Sequence, residues 1–93
     1  MEFPCEKLAV WQEAVAFADA VLAAGENIQT PRQHYRIVEQ LEAASTSVAL
    51  NVAEGKGRYS KKEFVHFLYI ARGSLYETIT LLVIMKRRGW IDA

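Results

Sequence analysis

The stretch from Lys61 to Arg88 contains no proline and is apolar on almost every side of the helix it would form. Placed at about 100° per residue, Phe64, Phe67, Leu68, Ala71, Leu75, Thr78, Leu82 and Met85 share an arc of about 100°, the width of an ordinary bundle core. A second stripe of Val65, Tyr69, Tyr76 and Val83 lies about a quarter turn further round, and Ile70, Leu81 and Ile84 are apolar on the other flank. Only a thin strip containing His66, Gly73, Glu77 and Thr80 is polar. A helix of this kind has to be covered on several sides, which the remainder of a 93-residue chain cannot do. The sequence therefore predicts an obligate oligomer with Val65, Tyr69, Tyr76 and Val83 at the interface.

The rest of the chain reads as helix too, with only 2 prolines and no strand-like alternation. Leu8, Trp11, Val15, Ala18 and Leu22 cluster on one side, widened by Val10, Ala14, Phe17 and Val21, which predicts a helix from Glu6 to Ala24. Gly25 is expected to end it in the left-handed conformation. The stretch "TPRQ" announces a second helix, with Thr30 as N-cap, Pro31 at the first helical position and Gln33 completing a capping box. Ile37, Leu41, Ala44, Val48 and Val52 form its core stripe, and Gln40, Ser47, Asn51 and Glu54 run along the edge as a polar row that must be solvated or paired. Gly55 and Gly57 suit its C-terminus and a tight turn, and "SKKE" is a second capping box, from Ser60 to Glu63, that opens the third helix. At the far end Lys86, Arg87 and Arg88 complement the helix dipole ahead of Gly89, and Trp90 and Ile91 are placed to fold back on the last turn.

One domain is the expectation for a chain of this length. Its 11 Lys and Arg balance 11 Asp and Glu, so no long-range field draws it to nucleic acid or to an anionic membrane. The single Cys5 has no partner for an intrachain disulfide, which suits a reducing, cytoplasmic compartment. The start "MEFPCEKLAVW" lacks the basic region and apolar run of a secretory signal, and "TITLLVIM" falls far short of the roughly 20 residues of a membrane span. No membrane partner is expected.

Between the second and third helices, "NVAEGKGRYSKKEF" carries the residues most suggestive of a site. It is not a Walker-type phosphate loop, which follows a strand and ends in Lys then Ser or Thr at a helix start. Asn51, Glu54, Arg58, Ser60 and Glu63 are expected to converge as a structural network around the turn, with Arg58 forking between the two carboxylates. Lys56, Arg58, Lys61 and Lys62 form a basic segment that would contact phosphates if several copies were arrayed together; one copy would bind weakly. Glu54 and Glu63 have no nearby nucleophile, so no catalytic residues are assigned. His34 and His66 lack ligand spacing, and neither a metal nor another cofactor is expected. Gly73, inside the third helix, costs about 1 kcal/mol against alanine, and close approach of a neighbouring helix is the compensation expected.

The segments "KLAVWQEA", "QLEAASTSVALNVAEGKGRYSKKEF" and "FLYIARGSL" resemble, in order and spacing, the bacterial 23S ribosomal RNA intervening-sequence proteins. The most specific match is Asn51, Ala53, Glu54, Gly55, Gly57, Arg58, Ser60, Glu63 and Phe64, then Phe67, Leu68, Ile70, Ala71, Gly73, Ser74 and Leu75. The resemblance implies an all-α, up-and-down antiparallel bundle of the four-helix type that assembles as a ring of five, without enzymatic activity. The related accessory proteins of diversity-generating retroelements are similar in fold and bind nucleic acid through a basic ring. Two departures stand out. Glu42 and Ala43 occupy the place of the family's Arg-Arg pair, which weakens a nucleic-acid role. The fourth helix that follows "GWI" in the family is not present in this sequence, so the bundle is expected to be truncated or completed by another chain. These readings converge on a non-enzymatic assembly module that forms a homo-oligomer, a pentamer by resemblance, and presents a surface to RNA, DNA or another protein.

Overall fold

The computed structural model describes residues 3–28 and 34–91. A 3-10 turn, Pro4–Lys7, leads into α1 (Ala9–Gly25), α2 (Tyr35–Lys56) and α3 (Lys61–Arg87), and no strand occurs among the described residues. The fold is an all-α, up-and-down bundle.

Helix α1 starts at Ala9, later than the expected Glu6. The Glu6 carboxylate instead accepts a hydrogen bond from the Phe3 N–H, which winds residues 4–7 into the 3-10 turn. Leu8 is then extended (φ −81°, ψ 125°) and packs on the cluster around Ala14 and Val48. Gly25 does not take the left-handed conformation; the helix ends right-handed, with the Glu26 N–H on the Leu22 carbonyl. The expected cap residues Thr30, Pro31 and Gln33 lie outside the described residues. Helix α2 begins at Tyr35, preceded by a non-helical His34 (φ −100°, ψ 59°) without a side-chain cap bond. The His34 ring is stacked on Trp90, centroids 4.6 Å apart.

Helix α3 has the expected start. Ser60 is extended and its Oγ accepts from the Glu63 N–H at 3.1 Å. Its end is a Schellman motif: Gly89 takes φ +75° and donates to the Lys86 carbonyl, while the Trp90 N–H reaches the Met85 carbonyl at 2.9 Å. Trp90 thereby folds back, as expected, into a core with Val21, Leu41, Leu81 and Met85. Its buried Nε1–H has no partner among the described residues.

Helix α2 is the central element. It packs against both α1 and α3, whereas no described Cα of α1 comes within 8 Å of one in α3. Helices α1 and α3 are thus held as diagonal corners with α2 between them, the layout of three successive helices in an up-and-down four-helix bundle. Side chains bridge the diagonal in two clusters, the one around Leu41 and Met85 and another of Ala14, Val48, Val52 and Ala71. The wide separation explains two departures in α1. Val10 and Val15, expected in the core arc, remain exposed, because α1 buries only the narrow line Ala14, Ala18 and Val21. Leu81, expected on an outer flank, is buried because the α3 core arc centres on Ala71, Thr78 and Met85 and reaches round to it.

The two interior glycines behave differently. A Cβ on Gly55 would stand 2.7 Å from Phe67 Cβ and 2.9 Å from Phe64 Cδ1, so the last turn of α2 can lie on α3 only without a side chain there. Around Gly73 no described residue outside the adjoining backbone of α3 comes within 4 Å of a Cβ; the close neighbour expected there is not supplied by α1 or α2.

Candidate functional site

The outer stripe of α3 is an uncovered apolar face. Val65, Tyr69, Tyr76 and Val83 are 47%, 58%, 61% and 47% exposed, at the i, i+4 and i+7 steps of one helix face. Ile79 extends the stripe, a residue the sequence reading did not place there although the same angular test would have found it. Arg72 lies along this face with its guanidinium 4.9 Å from the centre of the Tyr69 ring. Ile70 and Ile84, on the other flank, are exposed as well. By length and composition α3 is apolar enough to cross a membrane: its most apolar window has a mean hydropathy of 1.4, and only 17% of that window is buried in the chain.

The turn between α2 and α3 divides the expected network into separate pieces. Among the described residues Arg58 pairs with Glu54 alone, and its guanidinium lies 4.8 Å from the centre of the Phe67 ring. It does not fork to Glu63, whose described bond is the backbone N–H on Ser60 Oγ. The reason is geometric. Glu54 lies one helical turn before Arg58 on the same side, whereas Glu63 already belongs to the first turn of α3. Asn51 takes no part in the turn; its Nδ2 donates to the Ser47 carbonyl at 2.8 Å and to Ser47 Oγ at 2.9 Å.

Ser47 Oγ is in turn 2.9 Å from Ser74 Oγ on α3, and Thr78 Oγ1 donates to the Ser74 carbonyl at 2.8 Å. Of the polar row seen in the sequence, Ser47 is therefore paired across the α2–α3 seam, Asn51 is bonded to it within α2, and Glu54 is taken by Arg58. The seam partner Ser74 went unassigned, because only the register of the two helices shows which hydroxyl stands opposite Ser47.

Lys56, Arg58, Lys61 and Lys62 are all exposed at this end of the molecule. Lys56, Lys61 and Lys62 form no ion pair with a described residue, so they are available to an anionic partner. Among the described residues no three His, Cys, Asp or Glu side chains come together in a way that would hold a metal ion. His34 packs on Trp90, and His66 meets the edge of Phe67 at 5.7 Å.

A comparison with curated proteins finds no match. The sequence model of the 23S rRNA-intervening sequence proteins, in contrast, matches residues 6–93, which includes all three helices and the turn at Gly55–Glu63. The chain therefore belongs to the 23S rRNA-intervening sequence protein family.

Proposed function

We propose that this protein is a non-enzymatic assembly module of the cytoplasm: a helical bundle that forms a homo-oligomeric ring, five-membered by its family resemblance, and offers a surface to a partner. The observation that supports this reading is the exposed stripe of Val65, Tyr69, Tyr76 and Val83. Contiguous apolar faces of this kind are normally covered by another protein surface. A bilayer is a poorer cover, since Arg72 lies within the apolar length of α3 and would cost roughly 2.5–3.5 kcal/mol at the membrane centre. Light scattering on the purified chain tests the reading. An oligomer at micromolar concentration is expected, and a monodisperse monomer would overturn it.

The exposed cations Lys56, Arg58, Lys61 and Lys62 favour a second reading, a weak RNA- or DNA-binding accessory protein whose basic turns are arrayed around the ring. Arg58 is partly neutralised by Glu54, which lowers the charge each copy offers. Binding of this kind falls away between about 50 and 200 mM salt and disappears when Lys61 and Lys62 are both changed to Glu. Binding that survives either change points to a different surface.

A further inference from the structure

On the side of α2 away from α3, a groove of about 630 Å³ runs between α1 and α2. Trp11, Val15 and Leu22 line it from α1, and Ala49, Leu50 and Ala53 from α2. Leu50 is 67% exposed on its rim. The alanine floor leaves room for bulky side chains between the helices. Asp19 is the single charged group in the lining. Glu42 and Glu39 continue the same face of α2, one and two turns before Thr46, which also lines the groove and bonds the Glu42 carbonyl.

The ridge on α3 is the complement of this groove in shape and in charge. Its protruding side chains are the aromatic rings of Tyr69 and Tyr76. The charged residues along its arc, Lys61, Lys62, Arg72, Lys86 and Arg87, are all cationic, because the two acids of α3, Glu63 and Glu77, lie outside that arc. Neither Arg72 nor Asp19, Glu39 or Glu42 forms an ion pair with a described residue. Lys7 and Lys56 sit at the opposite end of the α1–α2 face from this acidic stretch. Ridge and groove lie on different sides of one molecule, so a chain cannot fill its own groove. A second copy can.

We propose that the α1–α2 groove receives the α3 ridge of a second copy, with Tyr69 and Tyr76 entering between the helices and Arg72 against Asp19. The contact joins unlike surfaces head to tail, and each pair of copies so joined keeps one free ridge and one free groove, which is the geometry a closed ring requires. This rests on the homo-oligomeric reading and adds to it the acceptor surface.

Light scattering on Leu50→Asp, which spoils the groove, and Tyr76→Asp, which spoils the ridge, tests the proposal. Both residues are exposed, and far-UV circular dichroism checks that the helices persist. Each variant alone is expected to be monomeric, with self-association weakened by at least about tenfold. Mixed together they are expected to form a dimer, because one intact ridge then meets one intact groove. Two monomeric variants that stay apart when mixed overturn the head-to-tail contact. If Leu50→Asp assembles like the native chain while Tyr76→Asp does not, the groove is overturned and the oligomeric reading stands. A monomeric native chain removes that reading itself. Should either variant lose helicity, the charge swap replaces it: Asp19→Arg and Arg72→Asp each weaken assembly and together restore it, and a double variant no better than the singles overturns the pairing.

Discussion

Helix α2 meets its two neighbours by different means. Toward α3 it presents Gly55, a gap that lets Phe64 and Phe67 lie against its backbone, and a hydroxyl pair between Ser47 and Ser74 at 2.9 Å. Toward α1 it presents Ala44, Ser45 and Val48, opposite the Ala14, Ala18 and Val21 line, with no side-chain hydrogen bond between the two helices among the described residues and an open groove alongside. The first contact has one register that satisfies both its shape and its polar atoms. The second is small residue on small residue, and its outer half is left unfilled. The difference teaches where specificity resides in a chain this short. A close approach and a polar pair select one alignment, while apolar contact alone stabilises several.

The largest effect should come from filling the close approach. Gly55→Val puts a branched side chain where even a Cβ would be 2.7 Å from Phe67, and it is expected to lower unfolding free energy by roughly 1–3 kcal/mol in urea denaturation. The matched change on the groove side, Ala53→Val, should stay within about 0.5 kcal/mol. Equal losses would show that the two contacts are packed alike.

A smaller effect is expected from the polar pair. Ser74→Ala removes the partner of Ser47 at the seam and should cost about 0.5–1.5 kcal/mol. Thr46→Ala, which deletes a hydroxyl bonded only within its own helix, should cost less. A reversed order would mean that the α2–α3 register does not depend on Ser47 and Ser74.

Arg58→Ala marks the low end. Both members of the Arg58–Glu54 pair are open to solvent, with side chains 43% and 56% exposed, so screening limits the loss to about 0.2–1 kcal/mol. The loss should shrink further at high salt. A cost of several kcal/mol would mean that Arg58 holds Glu63 as well as Glu54.

Much of α3 is legible in the sequence. Its start rests on Ser60 capping Glu63 and its end on Gly89 turning left-handed, and both are chemistry within a few residues. The start of α2 was less legible, because His34 leaves the helix and stacks on Trp90, a residue from the other end of the chain. At the candidate site the exposed stripe of Val65, Tyr69, Tyr76 and Val83 followed from periodicity alone. The partners of Arg58 and Ser47 did not, since each depends on where the turn and the facing helix place their atoms.

Local chemistry and the 3.6-residue period were enough to specify three helices, their polar edges and a third helix too apolar for its own chain to cover. They could not say that α1 and α3 stand apart across α2, that Val15 stays exposed while Leu81 is buried, or that a groove opens between α1 and α2. Those outcomes depend on distances between residues far apart in the chain. They are settled by close contacts such as Gly55 on Phe67, where a single missing side chain lets one helix pair draw together.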